Sequence, residues 1–329
     1  MRHATSVTSI SWIPSEAMSG PMRLPMDVGI GHYDDAPPDR IDNDLLDRLR
    51  ESDALRFANH LEAWVEVEDG DIVDVGYSGG AIVGATTARL GVGSLTFPGV
   101  GFPPIQSAPE RTAHGIRFVQ SAGGRTGSPF PRRIDRPPYV RITAPTAWTT
   151  LALTIAPDGT GAFEVVGASP FPRHWIYDST GALAAKSGTI DFTDWTRTGD
   201  HDRTPWGDEE RPALIAAVES AMERSLSGVL MGGTPRIEKL PPGGSLTTQG
   251  EPATDVYLVL DGMLVVDVDG EIVAELGPGA IVGERASLES GVRTSTVRAS
   301  TPVTYAAVPA SALSADDLRE VATTHRREG

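Results

Sequence analysis

The sequence predicts a mainly β protein: an antiparallel sandwich or barrel in the N-terminal part, followed by a second β-rich block with short flanking helices. Three observations carry this. The 36 glycines and 26 prolines among 329 residues suit many short strands joined by tight turns better than long helices. Apolar residues alternate with a period of two on both sides of Asp-Gly dipeptides, which tolerate the positive φ of a two-residue hairpin turn. Helical spacing is confined to a few short runs.

Taken in order, residues 1–43 mix prolines, glycines and acids (GHYDDAPPDRID) without a sustained period and read as an extended arm, part of it packing on the body. Over 44–61, Leu45, Leu46, Leu49, Leu55, Ala58 and Leu61 fall at near-helical spacing with charges between, which predicts one amphipathic helix. The period then changes to two. EAWVEVEDGDIVDVGY (62–77), TTLALTIAPDGTGAFEVV (149–166) and HWIYDSTGALAAKSG (174–188) each read as a hairpin, with shorter strands at 94–97, 115–121 and 139–143. This region, 44–210, is expected to be one β-rich domain. A linking helix is expected over 211–228, where Leu214, Ala217, Val218, Ala221, Met222 and Leu226 share a face. The second β block, in 229–329, contains MLVVDVDGEIVAEL (263–276) around Asp269-Gly270 and ends in a short helix over 314–328, with Ser314 and Asp317 at capping-box spacing.

Composition bounds the function. With 28 basic and 44 acidic residues the net charge is −16, shared as −10 up to residue 229 and −6 after it. Neither part has the basic excess of a dedicated nucleic-acid binder. The absence of cysteine removes disulfides, thiolate metal sites and cysteine nucleophiles, and suits a reducing cytoplasm. The first twenty residues lack the apolar core of a signal peptide. The least charged stretch, 90–106, holds three prolines and four glycines, which rules out a spanning helix there. The expectation is a cytoplasmic protein with no membrane and no nucleic-acid partner.

The sharpest chemical signal is VGERASLESGVRTSTVRA (282–299). A Gly-Glu pair opens a short helical segment, an arginine follows nine residues after the glutamate, and a β-branched run comes next. Backbone N–H groups at the start of a helical turn, with the planar fork of Arg293, suit a phosphate diester. Glu284 cannot hold a phosphate, and a sugar hydroxyl is its natural partner. The alternative reading of the same residues is that Glu284 and Arg293 pair with each other in a roll without ligand.

At these positions the block resembles the cyclic-nucleotide-binding domain superfamily, shared by catabolite-activator-type regulators, regulatory subunits of cyclic-AMP-dependent protein kinase, and nucleotide-gated channels. The family cassette, Phe-Gly-Glu-x-Ala-Leu followed by Arg-(Ala/Ser/Thr)-Ala-(Thr/Ser)-Val, is filled by 282–287 and 293–297, and GGSLTTQGEPATDVYLVLDGMLVV (243–266) is similar to its upstream strand pair. The resemblance covers about 229–320 and implies a cyclic-nucleotide-binding β jelly roll. It makes Glu284 the acceptor for the ribose 2′-hydroxyl and Arg293 the partner of the cyclic phosphate. Gly283, Ala286 and Ser287 would supply backbone contacts, and Thr294 would admit cyclic GMP beside cyclic AMP. Val282 replaces the usual aromatic and Ser287 the usual Leu. No other cofactor is implied: the block's one histidine, His325, lies outside the barrel, so a histidine-rich metal site has no ligands. The 16 residues after Leu313 are too few for a helix-turn-helix, so the terminal helix reads either as a lid over the nucleotide or as a packed end.

The N-terminal region carries no recognised motif. Asp200, His201 and Asp202, with His32, Asp34 and Asp35, could serve metal or acid-base chemistry, but adjacent strand residues point to opposite faces and acidic runs are usually solvated. The repeated SPFPR strings at 128–132 and 169–173 read as loop crossings with phenylalanine tucked into the core. GGRTG (123–127) reads as a glycine-rich turn without the lysine of a phosphate loop. The functional expectation is therefore a cyclic AMP or cyclic GMP sensor in which the N-terminal domain supplies a surface for a protein partner or a second copy. The alternatives are an enzyme with its site in 62–210, around His174, Asp178 or His201, and an assembly protein with an empty jelly roll.

Overall fold

The computed structural model describes residues 1–14, 34–42, 44–52, 55–90, 93–125, 130–133, 140–143, 146–191, 204–207, 215–217, 221–232, 235–289, 291–314 and 319. The chain divides into two compact units, Met1–Ala213 and Leu214–Gly329. The loop containing Asp200, His201 and Asp202, His32, and nearly all of the terminal segment 314–328 lie outside the described residues.

The first unit is built on β1 (Arg2–Trp12), α1 (Leu45–Glu51), β2 (Phe57–Glu68), β3 (Asp71–Val83), β4 (Gly115–Arg125), β5 (Thr146–Ile155), β6 (Gly161–Ala168), β7 (Arg173–Tyr177) and β8 (Leu183–Ser187). Within the unit one antiparallel sheet runs β8-β7-β1-β2-β3 and another β6-β5-β4, with the short strands Val100–Gly101, Ile105–Gln106 and Glu110–Thr112 pairing along β4. The predicted hairpins are present. Asp69 (φ 50°) and Gly70 (φ 88°) turn β2 into β3, Gly159 (φ 88°) turns β5 into β6, and the Asp178 carboxylate accepts from the Thr180 and Ala182 N–H groups between β7 and β8. Positive φ costs glycine nothing and aspartate little, so these dipeptides set the register.

The arm and the helix expected over 44–61 need correction. Residues 2–12 are not an arm: β1 is a central strand, pairing Ile10 with Ala58 of β2 and with Trp175 of β7. From Val7 to Trp12 it is buried on both faces, with Thr8, Ser9 and Ser11 among the apolar residues, so no apolar period of two marks it in the sequence. The chain returns at 34–41 to pack on the β7–β8 turn, where Tyr177 donates to Pro38 O (2.9 Å) and Leu183 N to Asp39 O (2.8 Å). The helix expected over 44–61 stops at Glu51. Leu55, Ala58 and Leu61 are fully buried, but Ala58 and Leu61 belong to β2, where aromatic and β-branched residues follow. Short apolar runs fit either period, and packing decides.

In β2, Phe57, Asn59, Leu61, Ala63 and Val65 are all inaccessible, and from Asn59 onward they alternate with partly exposed residues. Phe57 packs on Ala122 of β4 and Ala147 of β5. Asn59 ties the sheets together by donating to Thr149 O (3.0 Å) and accepting from Gln120 Nε2 (2.8 Å), so its buried amide is satisfied on both sides. Near the end of β1 lies a buried ion pair: Arg56 Nε donates to Asp34 Oδ2 at 3.0 Å, Arg56 Nη2 holds Oδ1, and Ile13 N donates to Oδ2 at 2.8 Å. The Asp34 side chain is thus occupied structurally rather than as a metal ligand.

His174 is equally buried. A carbonyl only accepts, so the contact of His174 Nε2 with Ser169 O (2.9 Å) puts the proton on Nε2 and leaves Nδ1 to accept from Ser11 Oγ (2.7 Å). Burial pushes the imidazole pKa down from 6.5 to about 4. The unfolded chain therefore takes up this proton first on acidification. The stability held by the neutral ring is intact above pH 6.5 and is lost as the pH falls towards 4, up to about 3 kcal/mol. Urea melts across this window should show that loss, and a His174→Gln variant should melt earlier at pH 7 but with a flatter pH dependence. Parallel profiles for the two proteins would contradict it.

The second unit comprises α2 (Ala221–Gly232), β9 (Arg236–Leu240), β10 (Ser245–Thr247), β11 (Asp255–Asp261), β12 (Leu264–Val268), β13 (Glu271–Leu276), β14 (Ile281–Val282), α3 (Glu284–Glu289), β15 (Thr296–Ala299) and β16 (Val303–Pro309). Two four-stranded antiparallel sheets, β9-β16-β11-β14 and β10-β15-β12-β13, make a jelly roll. Val259, Leu264, Val282, Val297, Ala299 and Val303 fill its interior. α2 begins later than the helix predicted over 211–228, and Ile215–Ala217 is extended. Leu226 and Leu230, one helical turn apart, bury against Val256, Leu258, Ile281 and Ala306, each contributing roughly 1.5–3 kcal/mol.

Candidate functional site

The β14–α3 corner places the cassette against the roll. Val282 pairs with Tyr257 of β11 and buries its side chain in the roll interior, so the residue that departs from the aromatic pattern packs as core. Gly283 then takes φ +97°, a conformation that L side chains rarely adopt, which aims Glu284 and the start of α3 at a cavity of about 440 Å³. A methyl group at Gly283 would collide with Arg293 Nη1 and lie 3.1 Å from Asp255 O. Gly283→Ala should therefore lower the stability of this unit by roughly 1–3 kcal/mol in a denaturant melt, and an unchanged midpoint would show that the corner relaxes freely.

After α3 the chain is clamped by backbone. Gly291 N donates to Ala286 O (2.7 Å), Arg293 N to Glu251 O (2.8 Å), and Gly250 N to Arg293 O (2.9 Å). The Arg293 side chain is 6% exposed and its guanidinium is fixed by neutral groups: Nη2 donates to Asp255 O (2.8 Å) and Tyr257 Oη (3.3 Å), and Nη1 weakly to Gly283 O (3.5 Å). The Tyr257 ring lies 5.1 Å from the guanidinium carbon. Among the described residues no carboxylate pairs with Arg293. Glu284 is buried too, at 5%, yet the two do not form the mutual ion pair that a ligandless roll would use. A buried cation whose contacts are all neutral is a place for an anion.

The structure brings five of the expected residues to one cavity: Gly283, Glu284, Ala286, Arg293 and Thr294 line it. Ser287 sits in α3, and its side chain lies outside the described residues. Thr247, Arg285 and Ser295 add polar lining that the sequence reading did not assign, and Val266, Val268, Ala274 and Leu276 supply an apolar wall. That wall follows from alternation along β12 and β13. The Tyr257 and Asp255 contacts to Arg293 had no sequence signal, because they depend on the register of β11 against β14 and β16.

Residues 237–315 match the cyclic nucleotide-binding domain family. That is 79 residues of the chain, and the matched domain contains every predicted contact. Among solved structures, the N-terminal domain of a transcriptional regulator from Streptomyces coelicolor A3(2) is 22% identical, with 34% of this chain and 83% of that chain covered and a TM-score of 0.25. The c-di-GMP responsive global regulator CLP of Xanthomonas campestris is 21% identical, over 27% of this chain and 44% of that one, with a TM-score of 0.24. An EAL enzyme in its cAMP-bound form is 23% identical, over 23% and 22%, with a TM-score of 0.22. This chain thus spans less than half the length of the last two. No curated protein matches.

Outside the cyclic nucleotide-binding domain, the residues considered for catalysis do not converge. His174 is sealed between Ser11 and Ser169, and Asp178 caps its own turn, while His201 lies outside the described residues. Among the described residues there is no group of three or more His, Asp or Glu able to hold a metal, and no helix is long and apolar enough to cross a membrane. Of the SPFPR repeats, the second is described throughout, with Phe171 fully buried as core, and the predicted turn at 123–127 begins instead as the end of β4.

Proposed function

We propose that the cavity of the second unit binds a cyclic nucleoside monophosphate and that the protein works as a cyclic-nucleotide sensor. The observation that carries this is the buried Arg293 guanidinium, held in place by Asp255 O and Tyr257 Oη but without a counter-charge among the described residues. A cyclic phosphate supplies one negative charge and two oxygens to match a planar fork already oriented. Glu284 faces the same cavity and accepts the ribose 2′-hydroxyl, with Gly283, Ala286 and Ser287 contributing backbone and Thr294 beside the phosphate arginine. Val266, Val268, Ala274 and Leu276 give the purine an apolar surface. The domain boundaries that go with this reading are a β-rich domain that takes in β1 as well as 44–210, a join over 211–228 and a nucleotide domain over 229–329.

Ligand that binds only the folded state raises its stability, by about 2.7 kcal/mol at a hundredfold excess over Kd. Thermal melts of the full chain with cyclic AMP and with cyclic GMP should show a concentration-dependent rise with at least one of them. No rise with either at millimolar concentration would sink the proposal.

A further inference from the structure

Arg285 is the second guanidinium on the cavity wall. It follows Glu284 in α3 and is half-buried, yet among the described residues it makes no hydrogen bond, ion pair or ring contact. Arg293, eight positions on, makes three hydrogen bonds to the protein through Nη1 and Nη2, which leaves its Nε–H and one Nη1 hydrogen for a ligand; Arg285 makes none. A partly desolvated guanidinium without acceptors is unfavourable, and much of the lining that shares the cavity with it is apolar: Val266, Val268, Val273, Ala274 and Leu276. Its fork is therefore uncommitted to the protein and open to acceptors carried by a ligand.

Resting on the cyclic-nucleotide reading, we infer that Arg285 selects the base and favours guanine. With the phosphate on Arg293 and the ribose on Glu284, the base is the part of the ligand left for a third charged group. Guanine presents two adjacent acceptors, O6 and N7, which match the paired donors of one guanidinium. Adenine presents N7 beside an N6 amino donor, which opposes it. A bidentate arginine contact of this kind discriminates by roughly ten- to a hundredfold.

Calorimetric titration of the full-length protein with cyclic GMP and cyclic AMP tests this, using the parent, Arg285→Ala and Arg285→Lys. The parent should prefer cyclic GMP by about tenfold or more. Arg285→Ala should lose that preference by weakening cyclic GMP binding alone, and Arg285→Lys should lose most of it, because an ammonium keeps the charge without the planar fork. Preference of the parent for cyclic AMP, or equal weakening of both nucleotides in Arg285→Ala, overturns the role of Arg285 and leaves the nucleotide site standing. Retention of the full preference in either variant does the same. Failure of the parent to bind either nucleotide overturns both readings together.

Discussion

An Arg293→Ala variant is expected to bind cyclic nucleotide at least about thirtyfold more weakly than the parent, the largest single effect on function. Truncating one partner of a buried, hydrogen-bonded charge pair costs about 2–5 kcal/mol, because the phosphate would lose its charge-assisted hydrogen bonds to the buried guanidinium. Arg293 also donates to Asp255 O and Tyr257 Oη, so its loss loosens the β11 side of the site. An Arg293→Lys variant separates the two effects: the ammonium restores charge but cannot reach several acceptors in one plane. Calorimetry should rank affinities parent, lysine, alanine, with similar melting temperatures for the ligand-free lysine variant and the parent. Equal affinity across all three would remove Arg293 from the phosphate-binding role.

The second large effect belongs to the first unit. Asp34→Ala leaves the Arg56 guanidinium, 1% exposed, facing a lost carboxylate and strips Ile13 N of its acceptor. Breaking a buried pair in this way costs about 3–5 kcal/mol, a large share of the 5–15 kcal/mol that holds a typical domain together. The urea midpoint should fall sharply at pH 7. The double variant Asp34→Leu/Arg56→Met removes both charges and should recover most of the loss, since replacing a whole buried pair with apolar groups is far cheaper than orphaning one member. If Asp34→Ala costs less than about 1 kcal/mol, the pair is behaving like an exposed one.

How much of this was legible in the sequence depends on where the determining information lies. The Asp-Gly hairpins at 69–70 and 269–270 were readable because turn chemistry is local, and both aspartates take positive φ (50° and 54°). The cassette was readable because Gly283, Glu284 and Arg293 are spaced by one corner and one short helix. β1 was not readable, since Ser9 and Ser11 are fully buried polar residues whose burial is set by neighbours far along the chain. The support of Arg293 by Tyr257 was hidden for the same reason: 36 residues separate them. Arg56 has no local sequence signal of its role, and only the packing of Asp34 against it reveals it as half of a buried pair.

The position of β1 has a consequence for how the first unit comes into being. Its partners are residues 57–66 on one side and 173–177 on the other, so β1 pairs early with β2 but completes its second edge only with a strand far along the chain. Until β7 is in place, β1 presents an open edge, the kind of template on which chains add to one another. Loss of residues 2–12 would leave β2 and β7 each with an unpaired edge, two sheet halves where one continuous sheet now stands.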